Sequence, residues 1–248
     1  MLRKFSLLLS TLFLVIVGSS AAISRDLESN VIVLFDFSNS YFTSERAQSE
    51  IPDNLKKLAN AVGSKRNGPK APAIIQVLPI NETSEIERPI CEYKLLRKKL
   101  LGGRKKNCGD FDDEFCSAKT KELKEYIKED CAELITSRPA ENATDISGAL
   151  ALTSQLISGQ AADDAYIIIF SDMFEYRNKE LPVSKINLTG AKVLVVCGGF
   201  FNQETDTMKL CYGTQEQWRS RLKKVGASSV IFTTENVRWT DGIAKEFF

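Results

Sequence analysis

Residues 31–35, Val-Ile-Val-Leu-Phe, form an unbroken apolar run that leads straight into Asp36-Phe37-Ser38-Asn39-Ser40. Such a run reads as a strand buried on both faces, the kind found in a parallel sheet covered on each side by helices. The strand ends on a carboxylate followed by two hydroxyls at alternate positions. In open α/β sheets, ligands gather just beyond the carboxyl ends of the strands. One carboxylate and two hydroxyls placed there supply hard oxygen donors, which suit magnesium, manganese or calcium.

Further apolar runs recur at 73–78, 166–170, 192–197 and 229–233, and helical patterns alternate with them. Between 31–35 and 73–78, Ile51, Leu55, Leu58, Ala59 and Val62 fall at helical spacing, and Pro52 marks a helix start. Residues 146–157 carry Ile146, Ala149, Leu150, Leu152 and Leu156 largely on one side. Residues 215–225 set Trp218, Leu222 and Val225 against Arg219, Arg221, Lys223 and Lys224. Strands alternating with helices imply βαβ units, and right-handed crossovers then give a doubly wound, mostly parallel α/β sheet flanked by helices.

Two later segments extend the first motif. One is Ala143-Thr144-Asp145-Ile146-Ser147-Gly148-Ala149-Leu150, a hydroxyl and a carboxylate opening a helix. The other is Tyr166-Ile167-Ile168-Ile169-Phe170-Ser171-Asp172, a second buried strand that ends in a carboxylate. In order and in context these three pieces resemble the von Willebrand factor A domain with its metal-ion-dependent adhesion site. The resemblance implies a Rossmann-like single domain over 28–248. It also implies a metal-ligand set of Asp36, Ser38, Ser40, Thr144 and Asp172, holding magnesium, or manganese or calcium in its place. Two charged and three neutral ligands would leave the ion electrophilic, with a position open to a Glu or Asp of a protein partner. Where the family has a glycine soon after its last aspartate, this chain has Met173-Phe174-Glu175.

Each of these residues also has a local reading. Asp36 can cap the turn after its strand, Ser38 and Ser40 can be turn residues, Thr144 can cap the helix that follows, and Asp172 can be a loop residue. Competing functions are a structural subunit of an envelope or secretion assembly with incidental metal, and a metal-dependent phosphohydrolase using Asp36. The hydrolase would need a second acid two residues on, where Ser38 stands. An enzyme is therefore not expected, nor any catalytic residue or organic cofactor.

The chain contains no histidine, which removes Ser-His-Asp and Cys-His catalysis and every imidazole metal site. A formal net charge of +1 gives no global attraction to nucleic acid or anionic membrane. Arg3 and Lys4 precede a short apolar stretch, and Ser19-Ser20-Ala21-Ala22 offers small residues for a signal peptidase. Residues 1–22 thus read as a signal peptide, with an uncleaved anchor as the alternative, and the chain is expected to be exported, periplasmic or extracellular. The six cysteines then read as disulfides. Cys197 with Cys211 is the simplest pair; Cys91, Cys108, Cys116 and Cys131 leave three connectivities open.

These four cysteines lie in a segment of about 81–139 that departs from a minimal A domain and reads as a disulfide-stapled insertion. It holds a basic run (97–99 and 104–106), an acidic patch (110–114) and a charged helix (118–134); the basic run reads as a solvated face balanced by the acidic patch, with binding of an acidic partner as the alternative. Asn81, Asn142 and Asn187 begin Asn-x-Ser/Thr sequons, and Asn142 lies beside Thr144.

Overall fold

The computed structural model describes residues 27–43, 45, 48–64, 68–70, 72–95, 114–160, 162–176, 185–198, 201–202, 205–234 and 246–248. The signal segment, the basic run, most of the acidic patch and Cys108 fall outside them.

Six strands form one sheet: β1 (Ser29–Asp36), β2 (Ala73–Ile80), β3 (Cys91–Leu95), β4 (Asp164–Ser171), β5 (Lys192–Cys197) and β8 (Ser229–Thr234), in the order β3-β2-β1-β4-β5-β8. All neighbours are parallel except β2 and β3. The short strands β6 (Phe201–Asn202) and β7 (Thr205–Asp206) pair as a separate antiparallel ribbon. The expected doubly wound, mostly parallel sheet is therefore the one observed.

Residues alternate sides along a strand, so the apolar stretch 31–35 of β1 feeds two cores at once. Val31, Val33 and Phe35 face one core with Leu55, Leu58, Leu123, Ile127 and Ile135. Ile32 and Leu34 face the other with Ala149, Leu150, Trp218 and Leu222. The first core is roofed by α1 (Glu50–Val62) and by a long helix from α2 (Glu114–Tyr126) through a π-helical turn (Ile127–Cys131) to α3 (Ala132–Thr136). The second lies under α4 (Ile146–Gln160) and α5 (Thr207–Lys224).

The described parts of 81–139 thus belong to the sandwich. They add the antiparallel edge strand β3, and the long helix buries Leu123, Ile127 and Ile135. A disulfide joins Cys91, the first residue of β3, to Cys131 at the end of the π-helical turn, with Cα atoms 5.7 Å apart. A second joins Cys197 at the end of β5 to Cys211 in α5, Cα to Cα 5.9 Å, as expected. No cysteine is free among the described residues. The first bridge selects one partner for Cys91 that spacing left open.

The chain runs from β1 outward to β2 and β3, then returns to the other side of β1 as β4. That reversal makes a crevice at the carboxyl ends of β1 and β4, where doubly wound sheets hold their ligands. Asp36 ends β1 and Asp172 follows β4.

Candidate metal centre

Asp36 closes β1 with no exposed surface. Its Oδ1 accepts from the Ser38 amide at 2.8 Å, so it does stabilise the turn that follows. Its Oδ2 accepts from the Ser171 hydroxyl at 2.6 Å, a bond between neighbouring strands that no turn requires. In the same turn the hydroxyls of Ser38 and Ser40 lie 3.1 Å apart. Tyr41 N and Phe42 N both donate to Ser38 O, at 3.0 and 2.7 Å, which winds the turn tightly. Phe37 and Phe42 pack beneath it, with ring centroids 4.8 Å apart.

The loop bearing Thr144 is stitched to both acid-bearing loops. On one side Glu141 N donates to Phe37 O at 2.7 Å and Asn39 N donates to Glu141 O at 2.9 Å. On the other, Thr144 and Tyr176 exchange two amide bonds of 3.1 Å each. These backbone bridges bring the Ser38 turn, Thr144 and the stretch after Asp172 to one end of the sheet.

Thr144 is not the cap of α4. Asp145 takes that role, accepting the Gly148 amide on Oδ1 at 2.6 Å. This is the bond of an N-cap residue to the third residue of its helix. A Cβ on Gly148 would collide with the Asp145 carboxylate, so a glycine at that position is what lets the cap close. With the cap supplied next door, the buried Thr144 is released from the helix-capping reading.

Asp172 also has no exposed surface, and its Oδ1 accepts from Phe174 N at 2.9 Å. Met173, which stands where the resemblance leads one to look for glycine, has φ 60° and is buried. A side chain in the left-handed region costs about 1–2 kcal/mol. The neighbours hold it there: Met173 N donates to Ser171 Oγ at 2.8 Å and Trp218 Nε1 donates to Met173 O at 2.9 Å.

Burial pushes the Asp36 carboxyl up, and the nearby Asp172 charge pushes it further, to about 7, against the opposing pull of the Ser171 and Ser38 hydrogen bonds. Two buried acids that repel one another need a proton or a cation between them. Asp36, Asp172 and the hydroxyls of Ser38, Ser40 and Thr144 would supply hard oxygens of the kind a small divalent ion takes. Among the described residues no three His, Cys, Asp or Glu side chains group as a metal site, so this set depends on its neutral hydroxyls.

Sequence reasoning missed three residues that organise the crevice. Ser171 bonds to Asp36. Glu175 accepts from Ser147 N at 2.7 Å on Oε1 and from Arg221 Nη1 at 3.1 Å on Oε2. Arg221 in turn donates to Ser147 Oγ at 2.7 Å and lies 4.8 Å from the Trp218 ring centroid. The only signal was positional: Ser171 and Glu175 flank Asp172 in the chain. Of the sequons, Asn81 is buried and spends its amide on Glu87 and Glu141, at 3.0 and 3.3 Å. Asn142 is exposed and accepts from Asn39 Nδ2 at 2.6 Å.

No family model matches the chain. No curated protein matches it either. Solved structures do. The D319A mutant of the PilB minor pilin from Streptococcus sanguinis aligns with a TM-score of 0.50 at 10% identity, over 91% of this chain and 61% of that one. Proximal thread matrix protein 1 from the mussel byssus aligns at 0.43 and 14% identity, over 90% of this chain and 48% of the other. A von Willebrand factor type A protein from Catenulispora acidiphila aligns at 0.37 and 12% identity, over 79% and 43%. The chain spans less than two thirds of each of these structures. At such identities the likeness speaks for the fold alone, the doubly wound, mostly parallel α/β sandwich described above.

Proposed function

We propose that this chain is an exported binding module that captures a protein partner through a divalent cation held by Asp36, Ser38, Ser40, Thr144 and Asp172. One observation carries the reading. Two fully buried acids meet at the switch point of the sheet, and Asp172 together with burial lifts the Asp36 carboxyl to about 7. A bound magnesium or manganese ion would supply the missing positive charge and an open coordination position for an outside carboxylate. The chain's own part is to hold the oxygens in place. Asp36 and Asp172 bring charge, and the three hydroxyls complete the set without over-neutralising the ion.

Export is supported by the charged and apolar N-terminal segment and by the two disulfides. Among the described residues no helix is long and apolar enough to cross a membrane. The activity is capture without turnover. The partner presents a Glu or Asp, and neither nucleic acid nor a lipid bilayer is its ligand.

Calorimetric titration of the disulfide-bonded chain with magnesium, manganese and calcium tests the reading. Saturable binding of magnesium or manganese, lost in a folded Asp36→Ala variant, is the expected result. Equal affinity in the wild type and that variant would remove the site.

A further inference from the structure

Ser171 lies at the end of β4 with no exposed surface. Its Oγ stands 2.6 Å from Asp36 Oδ2 and 2.8 Å from Met173 N. An amide can only donate, so Met173 N–H occupies a lone pair of that oxygen. The single hydroxyl proton is then directed at Asp36. We infer that Ser171 is a positioning residue for the candidate metal centre: its hydroxyl fixes the rotation of the Asp36 carboxylate and ties it to the loop that carries Asp172. The inference rests on the reading of Asp36 and Asp172 as the acids that hold a cation.

Ser38 N holds one oxygen of the Asp36 carboxylate and Ser171 Oγ the other, and the Ser38 hydroxyl also bonds to the group. A carboxylate has about four lone-pair sites, so each oxygen still has capacity for a cation or its water. Without the Ser171 hydroxyl, Oδ2 loses its partner on β4 and the carboxylate is held less firmly about its Cβ–Cγ bond. The Met173 amide loses its acceptor at the same moment, at the one left-handed non-glycine residue among those described. Orientation of one acid and shape of the other acid's loop thus depend on a single oxygen. A side chain that hydrogen-bonds to a metal ligand and orients it typically accounts for about 10- to 100-fold in metal affinity.

Ser171→Thr and Ser171→Val share a shape and differ only in hydroxyl against methyl, so they isolate the hydrogen bonds. Both variants, Asp36→Ala and the wild type would be titrated with manganese by calorimetry, with melting curves recorded on the same samples. Ser171→Thr should stay within about threefold of wild type and Ser171→Val should bind about 10- to 100-fold more weakly. A merely structural serine would lower the melting temperature without changing the affinity of the folded protein. Equal, measurable affinities in the Thr and Val variants overturn this role alone. Manganese that fails to bind even the wild type overturns the proposed function, and this role with it.

Discussion

The two loops that bring acids into the crevice are built in opposite ways. The turn after β1 is local: Asp36, Ser38, Tyr41 and Phe42 bond to one another within a few residues, and two aromatic rings brace it from below. The loop after β4 is held from far away. Met173 takes a strained backbone that Trp218, 45 positions along, secures through its indole. Glu175 is pinned by Ser147 and by Arg221, 28 and 46 positions distant. The turn at the first acid thus owes most of its shape to bonds within itself, with Ser171 and Glu141 tying it to the rest of the sheet. The loop at the second acid keeps its shape only once α4 and α5 have docked. Removing a distant residue should damage the second loop and spare the first.

The largest effect is expected at the local turn. Asp36→Ala should abolish binding of magnesium and manganese while circular dichroism retains the α/β signature, because the opening at the end of β1 loses its charge and its link to Ser171. Next is Arg221→Ala. It strips one partner from Glu175, whose side chain is only 12% exposed, and should cost about 1–3 kcal/mol in denaturant unfolding. The turn at Asp36 should keep its protection in hydrogen exchange while amides 173–176 lose theirs; equal loss at both loops would end the distinction.

A pH series gives a smaller effect that reports on the acids themselves. The Asp36 carboxyl is raised from its usual 3.8 to about 7 in the folded chain. The folded chain then holds this proton more tightly than the unfolded one. Its stabilising contribution is present below pH 3.8 and is lost as pH rises through 7. A cation competes with that proton, so metal affinity should be about tenfold lower at pH 6 than at pH 8. Melting curves from pH 4 to 8, with and without magnesium, check both signs: stability without metal should fall with rising pH, and magnesium should cancel the fall. The smallest effect belongs to Trp218→Phe. It removes the indole donor to Met173 O and should cost about 1 kcal/mol, with Asp36 untouched.

What could be read from the chain follows the same division. The parallel strands announce themselves because both faces are largely buried and their middles are runs of apolar residues; the run 192–197 coincides with β5 residue for residue. The edge strand β3 does not. Cys91-Glu-Tyr-Lys-Leu is apolar at its two ends and polar or half-buried between, a pattern too short to stand out from a loop. Helix α5 begins at Thr207, eight residues before the amphipathic stretch that marks it in the sequence. Gly213 sits inside that helix with open space where a Cβ would stand. The π-helical turn before Cys131 leaves no mark in the sequence at all. At the site, Asp36, Ser38 and Ser40 were legible because their spacing is local. Ser171, Glu175 and Arg221 were not, because their roles are set by which strands and helices become neighbours.

The Cys91–Cys131 bridge closes a loop of 40 residues between the edge strand and the long helix. In the chain-entropy view it contributes about 4 kcal/mol, against about 3 for the shorter Cys197–Cys211 loop. Both of its ends are anchored in the sandwich, one in β3 and the other among the core residues of the helix. The bridge ties these two anchored ends together whatever the path between them, so a cut in the backbone between Cys91 and Cys131 would leave the molecule in one covalent piece.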